Sequence, residues 1–425
     1  MKNWNERKKE VPLLHYFLLA YWFVLLVWQN VGGGDNRSGV DLIIKCALIV
    51  MLFAYYFTHM TGIRRDVLKL ILILIMIYGT IKLSNGMAMS EALYYFFPLL
   101  FMLLVYGVGG HFEINRRQLL ILCKILIIVM TYTALYALIF CFDQFKNAFS
   151  IDNAYGNELK SFLFSSHEYG LYLSFAIMAA ILCVEIDPNI TQRQRILYYL
   201  AIVLFGVNLI LTFSRTSILA MVIMLICYTF AFAKRRLKAI IGWSAFFAVL
   251  AILIIPPLRD FVWQIVMKEN DDAGRENLVD IAMRIYERGT RLEKLFGRDF
   301  YYVEDFLQSR SGISSFHNAF ITQLIANGVV GVVLISVMSI LPLRDIYLTT
   351  KCNTQYSKVA KFFIGFSLSS LVFMMFNTTV LYASSIDSYF LTLFAVIIPK
   401  YVNRSICRGK FDIDVKVKGY GKTML

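Results

Sequence analysis

Runs of about 20 apolar residues, each long enough to cross a bilayer as one helix, recur along the whole chain. Twelve can be read, centred near residues 20, 50, 76, 100, 131, 178, 205, 226, 248, 329, 372 and 393. Backbone in hydrocarbon must satisfy its own N–H and C=O groups, so a chain built of such runs folds as a helical bundle. The composition agrees, with 59% hydrophobic and 16% charged residues, against roughly 25% charged in a soluble domain. The expectation is an all-α polytopic membrane protein in which 1–425 form a single integral membrane domain.

The net charge of +14 invites a nucleic-acid reading, but its placement argues for topology. Basic clusters fall at Lys2 and Arg7 to Lys9, Arg64 and Arg65, Arg116 and Arg117, Arg193 and Arg195, Lys234 to Lys238, Arg344 to Lys361, and Arg404 to Lys422. Every second connection is thus basic, which is the positive-inside pattern over twelve spans and puts both termini in the cytoplasm. No nucleic-acid partner is implied; attraction to anionic membrane lipids is a secondary effect. The basic start followed by Val11 to Gln29 resembles a signal peptide but is too long in its apolar part, so it reads as an uncleaved first span. Seven cysteines without a CxxC and five histidines without an HxxxH pattern indicate neither a disulfide framework nor a metal site. No cofactor is expected.

Two outward connections are long, from about Gln144 to Tyr169 and from about Arg259 to Phe316. The second, residues 259–316, carries Leu278, Ile281, Ala282 and Ile285 at helical spacing, with Asp271 or Asp272 to cap the start and Gly289 to close the end. It predicts an amphipathic helix lying over the mouth of the bundle, between the ninth and tenth spans. Arg284, Arg288 and Arg291 would form a basic stripe along it, solvated or facing headgroups.

Outward arginines are where the positive-inside rule makes charge least expected, so Arg215 in LTFSRTSIL (Leu211 to Leu219) is informative. It stands at a tight turn between two apolar runs. It reads either as a snorkelling interfacial side chain or as a phosphate ligand, for which guanidinium offers a planar donor fork. His317 opens the apolar run of span ten, and helical spacing puts it on one stripe with Ile321, Leu324, Gly328 and Gly331. Two glycines there would let a neighbouring helix approach closely and fix the direction of the histidine. His167 and Glu168 stand at the outward end of the sixth span, where they read as caps or as part of a site. Lys45 and Lys124 fall inside spans, where snorkelling or internal pairing is expected. Pro98 is placed inside a span and Pro342 near a span end.

The run HNAFITQLIANGVVG, His317 to Gly331, has a histidine, then an asparagine, nine residues, glycine, two residues and glycine. This resembles the signature of the O-antigen polymerase and O-antigen ligase superfamily of bacterial membrane glycosyltransferases. LTFSRTSIL is similar to that family's Ser-Arg turn, and Ala273 to Asp299 is similar to its outward segment of an arginine, an amphipathic helix and a closing Leu-Phe-Gly. Arg298 departs from the glycine usual in the family after that segment. The resemblance covers Ser165 to Leu334 and implies metal-independent transfer between lipid-linked sugars on the outer face of the plasma membrane. It implies undecaprenyl-pyrophosphate-linked glycans as substrates, with Arg215 and Arg275 holding the pyrophosphate and His317 as general base. Asn318 or a backbone group would orient the imidazole; Asn318, Arg298, Arg288 and Arg284 are candidate substrate-binding residues, His167 and Glu168 would assist the acceptor or cap their helix, and Tyr301 and Tyr302 could stack on sugar rings. A chain-length regulator and a flippase are the implied partners. Polymerase and ligase share these motifs. From a different class, a twelve-span secondary transporter has the same span count, but no two related halves are evident here.

Overall fold

The computed structural model describes residues 114–144, 158–163, 165–232, 254–256, 272–298, 316–352, 356–377 and 390–411. All the regular structure among them is helical: α1 (Arg116–Phe140), α2 (Ser166–Ile186), α3 (Gln192–Leu211), α4 (Arg215–Phe232), α5 (Asp272–Glu287), α6 (Arg291–Phe296), α7 (Ala319–Cys352), α8 (Ser357–Phe376), a π-helical turn (Thr392–Ile397) and α9 (Ile398–Cys407). Six of these, α1 to α4, α7 and α8, are long and apolar enough to span a membrane. They match the expected spans near 131, 178, 205, 226, 329 and 372. The expected spans near 20, 50, 76, 100 and 248, both termini, Lys45, Pro98, Tyr301 and Tyr302 lie outside the described residues, as do residues 259–271 and 299–315 of the long loop. The run near 393 becomes the π-helical turn and α9.

The helix α2 is apolar on every side, and such a helix belongs inside a bundle. It is indeed the most enclosed span, with Tyr169, Tyr172 and Phe175 fully buried. Phe175 packs edge-on against Phe366 and Phe390 with ring centroids 4.7 and 5.2 Å apart, the geometry aromatic quadrupoles prefer. By contrast α3 turns Leu197, Leu200 and Val203 outward. Between α4 and α8 the approach is close because Gly365 offers no side chain: a Cβ there would sit 3.1 Å from Cys227 Cβ and from Met224 Cα. One turn along, Ser369 Oγ donates to the Ala220 carbonyl at 2.7 Å, so α8 runs antiparallel to α4.

The two ends of the bundle differ in charge. At one, the N–H of Arg116 donates to the Phe411 carbonyl at 2.9 Å, Cys407 Sγ lies 3.7 Å from Thr349 Oγ1, and Lys124 pairs with Asp187 at 3.1 Å. The start of α1 and the ends of α2, α7 and α9 therefore meet there, gathering Arg116, Arg117, Lys351, Arg404 and Arg408. Lys124 is thus internally paired, one of the two outcomes expected. At the opposite end, Leu159 N–H donates to the Leu211 carbonyl at 3.0 Å and Ser161 Oγ to the Thr133 carbonyl at 3.0 Å. That end holds the close of α1 and α3 and the starts of α2 and α4.

Pro342 lies inside α7, not near its end, because the helix continues ten residues beyond it to Cys352. The larger departure is at Gly328, whose φ of 62° and ψ of −161° break α7 into two helical pieces. Broken helices survive at membrane depth only where protein satisfies the freed backbone groups, and here the N–H of Arg298 donates to the Ile325 carbonyl at 2.9 Å.

Candidate active site

The turn from α3 to α4 is built from polar residues inside apolar surroundings. Thr212, Ser214 and Ser217 are all buried, and Phe213 between them takes a φ of 48°. The Thr212 hydroxyl donates to the Leu209 carbonyl at 2.7 Å and accepts from Ser214 N–H at 3.3 Å. Arg215 is the first residue of α4 and is half-buried. No acidic residue stands in the first turn of α4, so this guanidinium adds to the positive end of the helix dipole. The arrangement raises positive potential where an anion would meet it.

Against this turn lies the start of α2. Ser165 caps that helix by accepting from His167 N–H at 3.1 Å, and the imidazole Nδ1 of His167 sits 2.8 Å from Ser214 Oγ. A Cβ on Gly170 would fall 2.7 Å from Ser217 Cβ, so the two helices touch nearly backbone to side chain. His167 and Arg215, both read as site candidates, are thereby brought to the same turn. Glu168 is half-buried beside His167.

The helix α5 forms over Asp272–Glu287 and presents Leu278, Ala282 and Ile285 to Phe316 and Ile325, with Ile281 and Ile321 alongside. The expected amphipathic helix therefore exists and covers the first piece of α7. It stops two residues before Gly289, and Thr290 starts α6 with a reciprocal cap: its hydroxyl accepts from Glu293 N–H at 3.3 Å while Glu293 accepts from Thr290 N–H at 2.7 Å. The stripe of Arg284, Arg288 and Arg291 is consequently divided, since Arg291 belongs to α6 and the turn at Gly289 intervenes; all three are exposed. Arg275 lies on α5, and its side chain lies outside the described residues.

At the end of α6, Gly297 has a φ of 81° and Gly328 of α7 a φ of 62°. A Cβ on Gly297 would meet the Ala326 carbonyl oxygen at 2.1 Å, and one on Gly328 would meet the Leu295 carbonyl carbon at 2.3 Å. The Leu-Phe-Gly end is keyed, backbone against backbone, into the break in α7. Arg298 follows and pairs with Glu293 at 3.5 Å, beside a shallow cleft lined by Tyr286, Glu293, Arg298 and Leu324.

His317 precedes α7 with a φ of 50° and an exposed side chain. Because it is outside the helix and Gly328 interrupts the helix, the predicted single stripe from His317 to Gly331 does not form. Gly328 does admit a neighbour, as expected, but Gly331 serves the break itself: a Cβ there would lie 2.5 Å from Asn327 Cβ. The Asn318 carboxamide oxygen accepts from Phe320 and Ile321 N–H at 2.9 and 3.1 Å, so this side chain caps α7. Asn318→Asp or Asn318→Ser should keep function, whereas Asn318→Ala should cost about 1 kcal/mol of stability, read by thermal melting in detergent. Loss of activity in the capping variants with unchanged melting would instead give Asn318 a substrate role.

With its C-terminal end at the basic pole, the piece of α7 beyond the break at Gly328 rises about 36 Å at 1.5 Å per residue, enough to cross the bundle, so the break and the start of α7 lie toward the opposite pole. His317 thus stands at the same end of the bundle as Arg215 and His167. Sequence reading missed the hydroxyls of Thr212, Ser214 and Ser217 and the buried pair Gln323 and Asn327, joined at 2.6 Å. The signal available was polar residues inside apolar runs, which membrane helices hold only with partners.

Residues 200–336 match a family model described as O-antigen ligase. No curated protein matches the chain. The match spans the Ser-Arg turn, α5, α6 and the histidine that precedes α7, the segments that carried the resemblance in sequence. The match supports the resemblance to the O-antigen ligase and polymerase superfamily over this third of the chain.

Proposed function

We propose that the chain polymerises undecaprenyl-pyrophosphate-linked oligosaccharide repeat units into surface polysaccharide, by metal-independent glycosyl transfer on the outer face of the plasma membrane. The observation that carries this reading is Arg215 at the first position of α4, its charge added to a helix dipole within the matched segment. By the positive-inside rule the basic pole faces the cytoplasm, which turns the pole with Arg215, His167 and His317 outward.

In this reading the acceptor hydroxyl oxygen bonds to the donor's anomeric carbon as the bond to pyrophosphate breaks. The hydroxyl proton passes to the His317 imidazole, histidine being the side chain suited to take up a proton at neutral pH. Undecaprenyl pyrophosphate leaves with the bonding electron pair, and its growing charge is met by the guanidinium groups of Arg215 and Arg275. Single displacement inverts the anomeric centre. Arg215→Lys keeps the charge but loses the planar donor fork, and product formation should fall at least about tenfold, as for loss of a preorganised donor.

The description of the matched family as O-antigen ligase favours a second reading, in which the same chemistry delivers the glycan to a lipid A core sugar. Purified protein given lipid-linked repeat units alone should yield a ladder on a gel. Product only after a lipid A core acceptor is added selects the ligase; no product with either rejects both. Proton- or sodium-coupled uptake into vesicles, unaffected by His317→Ala, would establish the transporter class instead.

A further inference from the structure

The hydrogen bonds around the Ser-Arg turn have a direction that can be worked out by counting protons. Ser217 Oγ lies 3.0 Å from the carbonyl oxygen of His167. A carbonyl only accepts, so the single hydroxyl proton of Ser217 is committed there. Ser214 Oγ and Ser217 Oγ are 2.8 Å apart, and Ser214 must therefore be the donor between them. With its own proton committed, Ser214 accepts at its 2.8 Å contact with His167, and Nδ1 of the ring must carry a hydrogen. The bonds form a closed circuit that leaves His167 at its ring, passes through two buried hydroxyls and returns to the carbonyl of the same residue. The reverse sense is impossible, because its last step would need a carbonyl to donate. The neutral tautomer is thereby fixed as Nδ1–H.

The circuit sits on the element that aims Arg215. Ser214 is the cap of α4: its carbonyl accepts the first helical bond, from Ile218 N–H at 3.0 Å, and its hydroxyl accepts from Ser217 N–H at 3.4 Å. The preceding residue, Phe213, is held in a left-handed conformation that side chains rarely adopt unless their surroundings enforce it. Serines within membrane helices commonly bond to carbonyls one turn back on their own helix, as Ser339 does to Ile335 at 2.7 Å. Ser214 and Ser217 instead turn to a residue 47 or 50 positions away.

We propose that His167 is a positioning residue for Arg215, acting through the Nδ1–H donation that locks the Ser214 cap. This rests on the reading of Arg215 as a ligand of the substrate diphosphate. It gives His167 a task distinct from binding the acceptor, and requires at this position a donor about as far from the backbone as Nδ1. Asparagine supplies one; leucine, of similar size, does not.

The test uses full-length protein in liposomes, with undecaprenyl-pyrophosphate oligosaccharides extracted from a host lacking the protein as probe, and kcat and KM measured for the donor. His167→Leu and Ser214→Ala should each lower kcat about 10- to 100-fold, the range expected when a catalytic group is misplaced by about 1 Å. His167→Asn should return to within a few fold of wild type, and the double variant should be no worse than either single. Asparagine failing as badly as leucine, or losses that multiply in the double variant, would overturn the proposal. Activity lost in Arg215→Ala but kept in His167→Leu also overturns it, alone. Activity surviving Arg215→Ala overturns instead the reading of Arg215 on which it rests.

Discussion

His317→Ala is expected to lower polymer formation by about 10²- to 10⁴-fold, the contribution typical of a general base, with an unchanged amount of protein in the membrane. The second half of that expectation comes from the structure. The His317 side chain is exposed and precedes α7, so removing it leaves no cavity in either apolar cluster. Its backbone φ of 50° is a conformation asparagine tolerates better than most residues. His317→Asn therefore separates backbone from chemistry: it should keep the local fold and still lack activity. Immunoblots of membranes and a polysaccharide gel read both halves together. Near-normal glycan from either variant would reject the role of base.

Gly297→Ala and Gly328→Ala should each abolish activity and lower the melting temperature, because in each case the new Cβ would overlap backbone atoms, at 2.1 Å and 2.3 Å respectively. Backbone cannot rotate away as a side chain can, and both positions have positive φ, adding about 1 to 2 kcal/mol of conformational strain. With overpacking typically costing a further 1 to 3 kcal/mol, the keyed contact between α6 and α7 should come apart, freeing the Ile325 carbonyl now bonded by Arg298. The α5–α6 segment, with Arg275, Arg284, Arg288 and Arg298, would then lose its fixed relation to His317. Gly206→Ala is the control: nothing lies within 4 Å of a Cβ there, and alanine is the better helix former. Loss of activity in all three would mean that the bundle tolerates no added methyl group, and the keyed contact would carry no special meaning.

The six described spans were legible because apolar runs of bilayer length admit few alternatives, and the basic clusters foretold which helix ends collect at one pole. The apolar spacing of Leu278, Ile281, Ala282 and Ile285 likewise gave α5, since one face had to be covered. What the sequence did not yield was the break in α7. Periodicity assumes a continuous 3.6-residue repeat, and a single glycine packed against the backbone of Leu295 and Phe296 far upstream cancels it without changing the composition. For the same reason the stripe of Arg284, Arg288 and Arg291 was read through a turn at Gly289. The site residues His167 and Arg215 were picked singly, as polar residues at span ends. Their connection through Ser214 depends on a contact 47 positions apart, which no local pattern encodes. Asn318 was read beside His317 as a partner for the ring, and its position directly before an apolar run was the overlooked sign of a cap.

The pole holding Arg215 and His317 is proposed to transfer a glycan off a lipid diphosphate. The direct measurement is release of undecaprenyl pyrophosphate from lipid-linked repeat units by purified protein in liposomes, counted against new glycosidic bonds. One diphosphate released per bond formed, falling sharply in Arg215→Ala and His317→Ala, is the predicted result; bond formation and release that persist in both variants would contradict it.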